Sequence, residues 1–151
     1  MRFSSKAHYG LRAALVLAGS YRSGPVPLSE IARDEGISLA YLEQLAARLR
    51  KAGVVVSTRG ARGGYTLAAD PASITAGQVL RALDENLAPA ECVAEARSSG
   101  GCGREEACSS RPLWEQVRDS VAGVLDSTTL ADLCATPGGI PGEESSVERK
   151  R

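Results

Sequence analysis

A single histidine, His8, serves all 151 residues, so the side chain most used for acid–base catalysis is nearly absent. No nucleophile–base pair is evident, and no glycine-rich phosphate loop leads into a helix, so no catalytic constellation forms and the chain is read as a non-enzyme. Apolar runs are short. None approaches the roughly eighteen residues that a membrane span requires, and no membrane partner is expected. The N-terminus, Met1-Arg2-Phe3-Ser4-Ser5-Lys6, runs directly into an amphipathic pattern without the apolar core and cleavage site of a secretory signal. A cytoplasmic protein is therefore expected, and in that compartment clustered cysteines bind metal or do redox work more often than they form structural disulfides.

Net charge is also missing, but the zero total hides a division. Residues 1–66 hold ten Lys/Arg against four Asp/Glu, a balance of +6, and residues 67–151 hold eight against fourteen, a balance of −6. A basic first half joined to an acidic second half points to a polyanion partner for the first half only.

The pattern of helices and strands agrees with that division. Ser4 or Ser5 can cap a first helix that runs to about Tyr21, with Ala7, Leu11, Ala14, Leu15 and Ala18 on one stripe. After Gly24-Pro25, a short helix follows Pro27, turns Leu28, Ile31 and Ala32 inward, and stops at Gly36. Ser38 caps the next helix, whose Leu42, Leu45, Ala46 and Leu49 fall at i, i+3, i+4, i+7 and face the core. Its other side carries Ala40, Tyr41, Glu43, Gln44, Arg48 and Lys51. Two helices across a tight glycine turn, the second polar and basic outside, form the helix-turn-helix pattern. The period then changes to two. Val54–Thr58 and Tyr65–Ala68 read as strands, joined by the cationic tip Arg59-Gly60-Ala61-Arg62-Gly63-Gly64. The order and spacing of these pieces make a winged helix.

That arrangement assigns roles. The N-terminal part of a recognition helix reaches base edges in the major groove. Gln44 suits an adenine and Glu43 a cytosine amino group, while Ser38 and Tyr41 are candidates for a base or phosphate contact. Arg48, Arg50 and Lys51 lie farther along, where they neutralise phosphates, and Arg59 is placed to enter the adjacent minor groove.

Downstream, Asp70-Pro71 opens a linker, and Thr75-Ala76-Gly77-Gln78 is a capping box ahead of Val79, Leu80 and Leu83. Ser110 and Pro112 provide a cap and a first-turn proline for a long helix. Its narrow stripe of Leu113, Val117, Val121 and Val124 suits packing on a partner helix. A short helix capped by Thr128 or Thr129 then covers Leu130, Leu133 and Cys134. Pro, Gly, Glu and Lys/Arg dominate from Ala135 onward and predict a disordered tail. The fold class is mostly α, with a winged helix-turn-helix domain over 1–70, a cluster-binding loop and dimerisation helices over 71–134, and the tail over 135–151.

Three of the four cysteines, Cys92, Cys102 and Cys108, fall within seventeen residues among glycines and charged residues that cannot build a core. Such a segment is usually ordered by what it binds, and soft thiolates point to a metal or iron–sulfur site. Gaps of nine and five residues are not the C-x2-C repeat of zinc ribbons or ferredoxins, so spacing alone does not name the metal. Three thiolates leave a four-ligand site one short. The remaining donors are Glu91, Glu95, Glu105 and Glu106 within the loop, and Cys134 and His8 outside it.

Met1-Arg2-Phe3-Ser4-Ser5-Lys6, Ile37-Ser38-Leu39-Ala40-Tyr41-Leu42-Glu43-Gln44-Leu45, Arg59-Gly60 with Gly63-Gly64-Tyr65, and Cys102-x5-Cys108 followed by Leu113-Trp114 resemble the Rrf2 family of bacterial transcription factors. The likeness covers about residues 1–134 and is strongest to the IscR-like iron–sulfur regulators, with features of the NsrR-like nitric oxide sensors. It implies a winged-helix homodimer that binds palindromic double-stranded DNA, with RNA polymerase a further possible partner. It also implies an iron–sulfur cluster, 2Fe–2S favoured over 4Fe–4S, whose loss, oxidation or nitrosylation alters DNA affinity. Two departures matter. The gap between Cys92 and Cys102 is longer than the IscR-like pattern, and Arg111 stands where that pattern has a histidine ligand. A guanidinium has no lone pair to offer a metal. NsrR-like members take a non-cysteine ligand from the first helix of the partner subunit, at the position of His8, which favours His8 as the fourth ligand in trans. The leading expectation is regulation of iron–sulfur biogenesis or related stress genes. The alternatives are a nitric oxide or redox sensor of the same fold, or a zinc-stabilised adaptor that binds protein or RNA.

Overall fold

The computed structural model describes residues 2–95 and 102–135. Helix α1 spans Ser5–Gly19, and the Ser4 hydroxyl accepts from the Ala7 amide, as a serine N-cap does. It ends two residues short of Tyr21 because the chain turns through Arg22 at φ 72° and Gly24 at φ 101°. Its inward face also differs from the expected stripe. The buried residues are Ala7, Gly10, Ala13, Ala14, Leu17 and Ala18, whereas Leu11 and Leu15 are only half-buried. Close approach is the reason. A Cβ at Gly10 would overlap the Leu83 side chain, so the small residues of α1 set the packing distance.

Helix α2 spans Leu28–Glu35 and stops at Gly36, which sits in the left-handed region at φ 66°, where glycine has no Cβ penalty. The Ile37 amide returns to the Ala32 carbonyl at 3.0 Å, closing the turn before α3, Leu39–Lys51. The Ser38 hydroxyl accepts from the Tyr41 amide at 3.1 Å, and Leu42, Leu45, Ala46 and Leu49 are buried as the periodicity predicts. With Leu17, Ile31, Val55 and Leu67 the three leucines form one core.

Strands β1, Val55–Thr58, and β2, Gly64–Leu67, pair antiparallel with Val55 opposite Leu67 and Thr58 opposite Gly64. Val26 adds a single antiparallel bridge to Tyr65, with both backbone hydrogen bonds at 2.9 Å. That bridge fastens the wing to the segment before α2. It involves one residue and has no periodic signature.

Helix α4, Ala76–Ala82, opens on the expected capping box between Thr75 and Gln78. Helix α5 spans Arg111–Ser127, with Pro112 in its first turn. Ser110 does not cap it through its side chain. Its backbone is already helical at φ −88°, ψ −14°, and its hydroxyl lies instead 3.2 Å from the Cys108 sulfur. Helix α6, Leu130–Ala135, is capped by Thr129, whose hydroxyl accepts from the Asp132 amide while Asp132 accepts from the Thr129 amide. Leu130 is fully buried and Leu133 half-buried, but Cys134 is exposed rather than covered. The chain returns at this point. The Ala76 amide donates to Thr128 and the Leu130 amide to Ile74, so α6 packs back on α1 beside the start of α4. The expected tail lies outside the described residues, apart from Ala135, which closes α6.

No residue of α5 is buried in the single chain, and Leu113, Trp114 and Val124 are 54%, 37% and 54% exposed. Val117 and Val121 are half-buried, so the stripe is open at its two ends, and an amphipathic helix left so exposed is incomplete as it stands. Among the described residues, no helix is long and apolar enough to cross a membrane.

Candidate nucleic-acid interface and cysteine segment

Burying Leu42, Leu45 and Leu49 turns the opposite face of α3 outward. Ala40, Gln44, Ala47 and Lys51 follow one another at helical spacing, flanked by Glu43, and all five are exposed. Ala47 was not singled out from the sequence, although the same spacing that gave Gln44 and Lys51 includes it. As a small residue between two polar ones it leaves room for close approach to a groove. Ser38 uses an oxygen lone pair for the cap, which leaves its O–H free to donate. Tyr41 is half-buried, with its ring edge-on to Tyr9 at 6.2 Å and 86°, so part of that side chain packs against the domain.

The cations divide into free and engaged. Lys51 is exposed, as are Arg59 and Arg62 on the β1–β2 tip. Arg50 reaches Ser57 on β1 at 3.5 Å. Arg48 is paired with Asp84, just beyond α4. Sequence reasoning gave Asp84 no role, because thirty-six residues separate it from Arg48 and nothing local links them.

The corner at Asp84 and Glu85 gathers several elements. The Glu85 carboxylate accepts from the Ser4 amide at 2.8 Å and from the Ser4 hydroxyl, and the Asp84 carbonyl accepts from Lys6 at 3.2 Å. Beyond it, a cavity of about 410 Å³ is lined by Arg81, Glu85, Leu87, Glu95, Arg118 and Asp119.

Cys92 lies in a 3-10 turn, Glu91–Val93, held down by the buried Val93 side chain and by Arg118, which donates to the Val93 carbonyl at 3.2 Å. Cys102 is exposed, and Cys108 is half-buried next to Ser110. The Ser110 hydroxyl and backbone hold the Cys108 thiol below its ordinary pKa, with a smaller contribution from the Arg111 charge. All four cysteines are free thiols. Arg111 donates to Glu115 at 3.0 Å, one turn along α5. His8 is exposed on α1.

The donor chemistry fits an iron–sulfur group, with three thiols on one segment and an accessible imidazole. The described residues of one chain do not gather that set: no group of three or more His, Cys, Asp or Glu side chains among them could hold a metal ion.

Comparison with known proteins decides the family. The Rrf2 model, described as an iron-dependent transcriptional regulator, matches residues 3–136. The chain belongs to the Rrf2 family. The HTH-type transcriptional regulator IscR of Enterobacter sp. (strain 638) is 40% identical over 153 residues, covering 100% of this chain and 91% of that protein. IscR of Escherichia coli O1:K1 is 43% identical over 133 residues, covering 88% and 80%. Among solved structures, IscR of T. potens has a TM-score of 0.71 at 41% identity, covering 89% of this chain and 87% of that one. CymR, the global cysteine regulator of B. subtilis, has a TM-score of 0.72 at 40% identity, covering 89% and 97%. This Rrf2 protein is thus an IscR-like, winged-helix transcriptional regulator that binds double-stranded DNA, and its relatives are regulators rather than enzymes.

Proposed function

We propose that this regulator binds palindromic operators as a homodimer and adjusts that binding to the state of an iron–sulfur cluster held by Cys92, Cys102, Cys108 and His8 of the partner subunit. One observation carries the reading: three thiols and an exposed imidazole are available, yet among the described residues of one chain no three such donors gather into a set that could hold a metal. The open apolar stripe of α5 supports a second copy as the source of the fourth ligand. Palindromy follows from two-fold symmetry, since two identical reading heads match an inverted repeat.

When bound, the cluster supplies an iron–thiolate core that oxidants and nitric oxide attack, with 2Fe–2S the favoured form. Three thiolates and a neutral imidazole would hold it, so its retention weakens in acid. His8 sits on α1, and α1 packs against α3. A bond at His8 therefore bears on the helix behind the DNA-reading face. RNA polymerase is a further partner of this reading, and iron–sulfur biogenesis or stress genes are its targets.

A nitric oxide or redox sensor is the second reading. It is favoured by Arg111, which stands where an IscR-like histidine ligand is expected and is engaged with Glu115. Anaerobic purification with visible and EPR spectra, followed by operator binding of holo and apo protein, tests both readings. His8→Ala is expected to change the cluster spectrum and abolish the difference between holo and apo binding. Unchanged spectrum and binding would remove His8 from the ligand set, and a colourless protein with stoichiometric zinc would replace cluster sensing with a structural metal.

A further inference from the structure

The ion pair between Arg48 and Asp84 puts a carboxylate against the flank of the DNA-reading helix. Arg48 lies one turn beyond Gln44 on α3, and its side chain is 47% exposed. That places a guanidinium at the margin of the groove-facing surface, where phosphates pass. Asp84 is not a loose surface acid. Its backbone is fixed at φ 54°, its amide donates to Arg81, its carbonyl accepts from Lys6, and the next residue is tied to Ser4. The carboxylate is thereby presented from a rigid corner while remaining 76% exposed.

We propose that Asp84 acts as an internal stand-in for a DNA phosphate, holding Arg48 in the DNA-free protein and competing with DNA for it. The inference rests on DNA binding by the winged helix and adds a residue that lowers affinity without contacting a base. The exchange is simple: the guanidinium trades carboxylate oxygens for phosphate oxygens, with no proton transferred. Both partners are substantially exposed, so their attraction is modest and a phosphate can displace it. Once displaced, the Asp84 charge recruits a cation from solution. That uptake offsets part of the counterion release that Arg48 would otherwise contribute.

The test measures binding of wild type, Asp84→Asn, Arg48→Gln and the double variant to a mixed-sequence DNA duplex by fluorescence anisotropy across a salt series. Phosphate contacts do not depend on sequence, so no operator is needed. Asparagine tolerates the left-handed backbone, so the corner is kept. Asp84→Asn is expected to bind about two- to fivefold more tightly, with a steeper salt dependence by up to about one unit of slope. In the Arg48→Gln background the same change is expected to do little. An equal gain in both backgrounds would show that Asp84 acts only through general charge, and weaker binding by Asp84→Asn would show that it orients Arg48. Either result overturns the proposal. If wild type shows no salt-sensitive binding to any duplex, DNA binding itself fails and Asp84 is not the cause.

Discussion

Substituting Gly10 by alanine sets two effects of similar size against each other. Alanine in a helix interior is favoured over glycine by about 1 kcal/mol. The new methyl, however, would overlap Leu83, a side chain with 0% exposure that is packed within the core. Overpacking of this kind typically costs about 1–3 kcal/mol. The overlap therefore wins, and Gly10→Ala is expected to be net destabilising by about 1 kcal/mol. For a chain of this length that lowers the melting temperature by about 2–4 °C. The decisive comparison uses Leu83→Ala, which itself should cost about 2–5 kcal/mol through the cavity it leaves. In that background the methyl of Gly10→Ala meets open space, and the propensity gain should appear, giving a coupling of about 2 kcal/mol between the sites. Urea unfolding followed by far-UV circular dichroism, at one fixed protein concentration, reads all four proteins. If Gly10→Ala is as stable as wild type, or shifts both backgrounds equally, then α1 and α4 are not held at the distance described.

On the recognition helix, Lys51→Ala should weaken binding to all sequences alike and flatten the salt dependence by about one unit, read by anisotropy. Gln44→Ala should instead relax discrimination at one base pair, at about 1–3 kcal/mol, visible when each operator position is varied in turn. Hydrogen bonds from Arg81 at 2.6 and 2.8 Å hold the Asp126 carboxyl below the usual carboxylate range. A depressed folded pKa means that its stabilisation is present above the unfolded value and is lost as pH falls through the folded one. Asp126→Asn should therefore reduce stability at neutral pH and reduce its loss on acidification, measured by urea unfolding across a pH series. In the proposed homodimer, Leu113→Glu combined with Val124→Glu should shift the protein to monomer in sedimentation velocity with helix content retained, because neither side chain supports the single-chain core.

The sequence was most legible where structure is decided locally. The α3 stripe, the Ser38 cap, the Gly36 turn and the Thr75–Gln78 capping box depend on residues within one or two turns of each other, and each appears as expected. On α1 the expected Ala7, Ala14 and Ala18 are buried, but Leu11 and Leu15, which carry more apolar weight than Ala13 or Gly10, lie only at the margin of the core. The tight contact with Leu83 selected for small size instead. Ser110 looked like a cap by residue type, but its backbone conformation put it inside the turn and released its hydroxyl to Cys108. The candidate DNA face was legible as a set of exposed positions, while the state of each cation was not. Whether an arginine is free depends on partners far along the chain, as the separation of Arg48 from Asp84 shows.

The features that remain unexplained within one chain share a direction. The two ends of the α5 apolar stripe, Leu113 and Val124, are exposed, the imidazole of His8 faces solvent, and among the described residues the thiols of Cys92, Cys102 and Cys108 do not gather into a set that could hold a metal. A separate cause for each would require three unrelated partners. A second copy of the chain brings an identical stripe, a second His8 and a second set of thiols at once. It also doubles the basic face, as an inverted-repeat operator requires. A variant that separates the α5 helices should therefore also lose the His8-dependent part of the cluster spectrum. Loss of the dimer with that spectral contribution intact would separate the two, and the fourth ligand would then have to come from the same chain.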